Sequence, residues 1–214
     1  MKNPKLLMPG LVYAGLLALL VSCNNTGTTH NQETDIETET RAAGDDPEQA
    51  GVSQEDMLKK GEHLVMSIGC DDCHTPKKYA NGIPEPDMDK HLMGHPEGAK
   101  LPAYDMATVK AGWTLGNEHF TAWVGAWGTS FSANLTPDKA TGLGTWTEEN
   151  FFTSIREGKF HGAKDGRPIL PPMPWPAYSN LTDEELRAMF AYLKSIKPIK
   201  NAVPAPLPPK DAKK

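Results

Sequence analysis

Cys70-Asp71-Asp72-Cys73-His74, running on into Thr75-Pro76, is the stretch on which the reading of this 214-residue chain turns. In a helical turn the two thiols can reach the two vinyl groups on one edge of a porphyrin, and the imidazole beside the second thiol comes under the iron. This is the spacing that attaches haem c covalently. Cys70 and Cys73 are therefore expected to anchor one haem c, with His74 as the proximal axial ligand. A zinc site would need two further ligands, and the only other cysteine is Cys23. A redox dithiol is normally found near a βαβ pattern, which the chain does not show.

The N-terminus supplies a compartment. Lys2 and Lys5 precede an apolar run from Leu6 to Val21, which reads as an export signal over residues 1–22. The run is short for a bilayer span, and Pro9, Gly10 and Gly15 weaken it as a membrane helix. It ends at Leu20-Val21-Ser22-Cys23, which resembles the lipobox of bacterial lipoproteins. That likeness implies a lipidated Cys23, and with it a chain in the cell envelope, facing the periplasm and anchored to a membrane by lipid. Several acyl chains make such attachment stable, whereas one holds it only marginally.

Residues 24–52 contain seven acidic residues and one basic residue, with Ile36 and Val52 their only large apolar side chains. Such a segment cannot bury enough surface to fold. Residues 23–52 thus read as an anchor and an acidic tether with a typical span of about 30 Å. Residues 53–214 carry 19 basic and 20 acidic residues, close to neutral. A nucleic-acid binder would show a basic surplus, and none is present. The last stretch, 199–214, is rich in proline and lysine and is expected to fray as an extended tail.

Between the flanks, residues 53–198 suffice for one domain. A first helix is expected from Ser53 with Asp56 at the capping-box position, presenting Met57, Leu58, Gly61, Leu64, Val65 and Ile68. A second starts at Thr147 and stops at Gly158. A third starts at Thr182, completes a capping box with Glu185 and ends before Pro198. The third is expected to cross the first at Gly61, with Phe190 or Leu193 opposite. No stretch shows useful strand alternation, so the expected fold is all-α, with long loops around the haem.

Ile169-Leu170-Pro171-Pro172-Met173-Pro174-Trp175-Pro176-Ala177-Tyr178 surrounds one methionine with prolines. Proline fixes φ and reduces the freedom of the unfolded chain, so the loop can hold a thioether near the iron at little ordering cost. Met173 is the expected distal ligand. Met88, Met93, Met106, His91, His95, His119 and His161 are its rivals, His161 the strongest among the histidines. Trp146, Trp175 and Tyr178 are expected to line the pocket.

These features resemble a class I cytochrome c, with a helix leading to Cys-x-x-Cys-His and a methionine loop leading to a C-terminal helix. Cys70 to Pro76, Asn134-Leu135-Thr136-Pro137-Asp138, Thr141-Gly142-Leu143-Gly144 with Trp146, Ile155-Arg156-Glu157-Gly158 and Met173-Pro174-Trp175 through Tyr192 are similar to the cytochrome subunits of membrane-bound alcohol dehydrogenases. Those subunits carry several such domains, whereas this chain has one Cys-x-x-Cys-His. The departure favours a single-haem carrier or a small accessory subunit. The family also implies that a proline carbonyl beyond the proximal histidine accepts its other ring N–H, for which Pro84 and Pro86 are the candidates.

The expected function is then single-electron transfer by a membrane-tethered monohaem cytochrome, with no side chain acting as acid, base or nucleophile. The expected partners are a dehydrogenase, a respiratory complex or a terminal oxidase. The alternative is a peroxidase-like haem enzyme or a haem sensor with an open distal site, in which His161, Lys164 and Arg167 would take the distal roles.

Overall fold

The computed structural model describes residues 53–209. The expected signal peptide, Cys23 with its tether and residues 210–214 lie outside the described residues.

Three long helices form where their caps and apolar spacing place them. Helix α1, Gln54–Ser67, begins at Ser53, whose Oγ accepts from the Asp56 N–H (3.1 Å). Helix α4, Glu148–Glu157, and helix α6, Asp183–Ser195, each open with a full capping box, Thr147 with Asn150 and Thr182 with Glu185. Each box satisfies N–H groups that the first turn would otherwise leave unpaired. Between them lie three short helices: α2, Cys70–His74; α3, Met106–Lys110; and α5, Trp175–Tyr178.

Helix α1 crosses α6 at Gly61, as its small size suggests, but the residues opposite are Ala188 and Tyr192, not Phe190 or Leu193. A Cβ on Gly61 would run into the Ala188 carbonyl and approach Tyr192 Cβ to 2.8 Å. Phe190 is turned instead toward α4, where it stacks on Phe151 at 5.3 Å. The core between these helices is Val65, Leu92, Leu143, Phe151, Ile155, Leu186, Met189 and Leu193.

The expectation of an all-α fold is incorrect. Over the described residues the content is 36% helix and 13% strand, with two antiparallel sheets, so the fold is mixed α/β. Strands β1 (Lys77–Ala80) and β2 (Ile83–Pro86) form a hairpin with Lys77 opposite Pro86 and Ala80 opposite Ile83. Its turn is Asn81-Gly82, both at positive φ (53° and 80°), the conformation that a tight hairpin turn requires and that Asn-Gly adopts readily. The second sheet has the order β3 (Leu115–Gly116), β4 (Ala122–Gly125), β5 (Gly128–Phe131). Asn117 closes its first turn, Oδ1 accepting from the N–H groups of Thr121 and Ala122.

Residues 199–209 also depart from expectation, because they pack rather than fray. Leu207 exchanges both backbone hydrogen bonds with Thr129 (2.8 and 3.0 Å), and Asn201 is buried under the loop that contains Met93 and His95. The N–H groups of Ile199, Asn201 and Leu207 also find acceptors within the domain, which holds the segment against it. Among the described residues no helix is long and apolar enough to cross a membrane.

Candidate haem site

Helix α1 delivers the chain through Gly69, at φ +76°, straight into α2, so Cys70, Cys73 and His74 lie on one short helical turn. Cys70 and Cys73 are both free and half-buried. Burial, reinforced by the Asp71 carboxylate, pushes the Cys70 thiol up to about 12, and burial moves Cys73 in the same direction. A redox-active dithiol works through a depressed thiol pKa, so these thiols do not suit one. Among the described residues no three His, Cys, Asp or Glu side chains are grouped to hold a metal ion, so a zinc site lacks its further ligands.

The imidazole of His74 is oriented from a distance in sequence. Its Nδ1 donates to the Ala133 carbonyl at 2.7 Å, a contact spanning 59 residues. The expected acceptor, Pro84 or Pro86, is incorrect. Both prolines belong to β2, which is committed to its hairpin with β1, while the chain at 132–135 is laced to 92–95 beside His74. Burial holds the His74 pKa down, against the opposing effect of the Ala133 hydrogen bond, and keeps the ring neutral. A neutral ring with Nδ1 committed presents Nε2 as the coordinating nitrogen. Two free thiols on one turn and an imidazole held in that tautomer fit haem c.

The chain after α4 turns at Gly158 and pairs back on itself. Phe160 N–H donates to the Arg167 carbonyl (2.9 Å) and Ile169 N–H to the Gly158 carbonyl (2.7 Å). This ladder starts the proline loop, whose Pro171 carbonyl accepts from Ser130 Oγ on β5 (2.5 Å). Met173 is half-buried and packs against the same core as Cys70, Trp146 and Tyr178. Trp175 lies over Gly158, where any Cβ would enter its indole. Tyr178 donates from its hydroxyl to the Ile68 carbonyl (2.8 Å), which fastens α5 to the end of α1 just before Cys70.

The other histidines named as rivals make contacts of their own. His91 lies between Thr75 Oγ1 and the Tyr192 hydroxyl (3.4 Å to each), and His119 Nδ1 donates to the Lys77 carbonyl (2.7 Å). His95 is buried against Thr121 and Phe131, and Met88 is exposed. His161 stacks on Phe160 (4.0 Å) and meets Trp146 edge-on (5.9 Å). Arg167 lies over the Phe160 ring (3.7 Å) and Lys164 faces Glu149 (3.6 Å) on the surface.

Sequence reasoning did not find Ala133, Gly94, Lys77 or Asn201. Ala133 directly precedes the Asn134-Leu135-Thr136-Pro137-Asp138 stretch, its only signal, since a backbone carbonyl has no residue signature.

No family model matches the chain. It is 30% identical over 147 residues to the gluconate 2-dehydrogenase cytochrome c subunit of Pantoea cypripedii, covering 68% of this chain and 25% of that one. To the cytochrome c subunit of the alcohol dehydrogenase (quinone) of Gluconobacter oxydans it is 39% identical over 151 residues, covering 69% of this chain and 23% of that one. The fructose dehydrogenase cytochrome subunit of Gluconobacter japonicus is 39% identical over 74 residues, 34% of this chain and 14% of its own length. The chain therefore spans a quarter or less of each of these relatives. Within that span its homologues are the cytochrome c subunits of quinone alcohol, gluconate and fructose dehydrogenases.

Proposed function

We propose that this protein is a membrane-tethered monohaem c-type cytochrome that carries single electrons between redox partners in the cell envelope. Haem c supplies a one-electron ferric/ferrous couple when bound, and its potential is set by axial ligands, burial and hydrogen bonding. Cys70 and Cys73 would hold the cofactor covalently, His74 would bind its iron through Nε2 and Met173 would offer a thioether as a further ligand. Both side chains belong to braced segments, His74 to α2 and Met173 to the proline loop, which would keep them in place through a change of charge. Trp146, Trp175 and Tyr178 exclude water around them. The observation that carries this reading is the Ala133 hydrogen bond, which prepares His74 Nε2 for iron on the helix that bears both thiols.

The relatives are subunits named with a dehydrogenase, which supports such an enzyme as electron donor, with a respiratory complex or terminal oxidase as acceptor. Lipid on Cys23 would hold the domain on the periplasmic side. Replacing Cys23 with Ser is expected to release the protein from washed membranes, and continued attachment would rule out lipidation there.

Optical spectra of the haem-loaded protein test the coordination. The ferric form is expected to show the weak far-red band of sulfur-to-iron coordination, and the ferrous form to ignore carbon monoxide. Met173→Ala is expected to abolish the band and admit carbon monoxide. An unaltered protein that lacks the band and binds carbon monoxide rapidly would favour the enzyme or sensor reading.

A further inference from the structure

The segment after α6 is connected to the proximal histidine through a single glycine. Asn201 is 3% exposed. Its Nδ2 donates to the carbonyls of Met93 (2.7 Å) and His95 (2.9 Å), the two that flank Gly94, and its Oδ1 accepts from the Glu97 N–H (2.7 Å). Three hydrogen bonds from one side chain thus hold the loop on both sides of residue 94.

Gly94 is inserted between the two backbone groups that define the proximal site. Its N–H donates to the carbonyl of His74 itself (2.7 Å). Its Cα faces residues 132–133 so closely that a Cβ would collide with the Ser132 carbonyl and lie 2.5 Å from the Ala133 oxygen. At φ +78° only glycine enters this position without strain. On either side, His95 N–H donates to Ser132 O (2.9 Å) and Leu135 N–H to Leu92 O (2.8 Å). The far side of 132–136 is held by the same C-terminal segment, because Asn134 Nδ2 donates to Ile199 O (2.8 Å) and Ile199 N–H to Thr136 Oγ1 (3.1 Å).

We propose that Asn201 is a positioning residue for the proximal iron ligand: by clamping the carbonyls on both sides of Gly94, it seats that glycine against residues 132–133 and fixes the Ala133 carbonyl on His74 Nδ1. The inference rests on His74 being the iron ligand. A ring N–H held by a carbonyl makes the imidazole a more basic ligand. A more basic ligand favours ferric iron, so a loosened clamp raises the potential. The C-terminal segment therefore sets the potential as well as covering the domain.

The test uses full-length, haem-loaded protein carrying Asn201→Ala, with Asn201→Asp as a second variant. Asn201→Asp keeps the acceptor for Glu97 but loses both donations to the Gly94 flanks. Leu207→Pro is the comparison. It removes the Leu207 N–H···O Thr129 bond (3.0 Å) at the other end of the segment and leaves the clamp intact. Both Asn201 variants are expected to have a higher midpoint potential and faster deuterium exchange of the His74 Nδ1–H. Leu207→Pro is expected to unfold more easily with its potential unchanged. The inference is overturned if neither Asn201 variant that folds moves the potential, or if Leu207→Pro moves it as much. An unaltered protein without a histidine-ligated haem spectrum would instead overturn the His74 assignment, which keeps the two failures distinct.

Discussion

Lys77 carries its charge into a site where 8% of the residue is exposed, and the structure provides the compensation. Its Nζ donates to the Asp71 carbonyl (3.0 Å), which also accepts from the Thr75 N–H, and to the Thr75 carbonyl (2.8 Å) just past the end of α2. Burial lowers its pKa, and the Asp71 and Asp72 carboxylates work against that shift. Lys77→Met would leave both carbonyls without this donor. A loss of about 1–3 kcal/mol is expected, read from urea unfolding of the haem-loaded protein. His95 gives the clearest pH dependence. The residue is 1% exposed, Nδ1 meets Thr121 Oγ1 (3.0 Å), and burial lowers its pKa against the opposing effect of a hydrogen bond to the Ala99 backbone. The unfolded chain then binds the proton more readily than the folded one. Stability contributed by His95 is thus complete above the ordinary imidazole value of about 6.5 and declines as pH falls below it. His95→Gln is expected to flatten the stability profile across that range, measured as urea midpoints on either side of it.

Among the elements, the α1–α6 crossing is the most demanding contact. Gly61→Ala would gain about 1 kcal/mol of helix propensity. The added methyl collides with the Ala188 backbone, which cannot swing away as a side chain can, and overpacking of this kind costs about 1–3 kcal/mol. Crowding wins, so the variant is expected to melt at a lower temperature in a circular-dichroism scan. The same elements show which features a sequence exposes. Ser53, Thr147 and Thr182 marked the helix starts because a cap needs only local partners, and the apolar spacing placed the crossing at Gly61. The strands escaped notice because they are short and alternate weakly: Lys78, Tyr79, Ala80 and all of Ile83–Glu85 are exposed. Their one local sign was Asn81-Gly82. The carbonyl that supports His74 was beyond reach for another reason: every residue has a carbonyl, and only the tertiary fold selects Ala133.

The whole chain has a formal net charge of −5, but residues 53–214 are nearly balanced, with 19 basic and 20 acidic residues. A neutral body gains little from long-range steering. Its rate of reduction by a donor dehydrogenase is expected to change little as ionic strength rises, measured by stopped-flow mixing. A steep fall would instead reveal docking through a local patch of charge.

The 59-residue interval between His74 and its carbonyl partner, with Asn201 still farther along, also bears on the order of assembly. During synthesis both thiols emerge within four residues of one another, long before Ala133 or Asn201 exists. Contacts that close such long loops form late. Under the proposed function, covalent attachment would require only a short stretch of nascent chain and could precede folding. The grip on the imidazole needs residues 133 and 201, so under the proposed function a haem-loaded chain would gain its full proximal support only after both had docked.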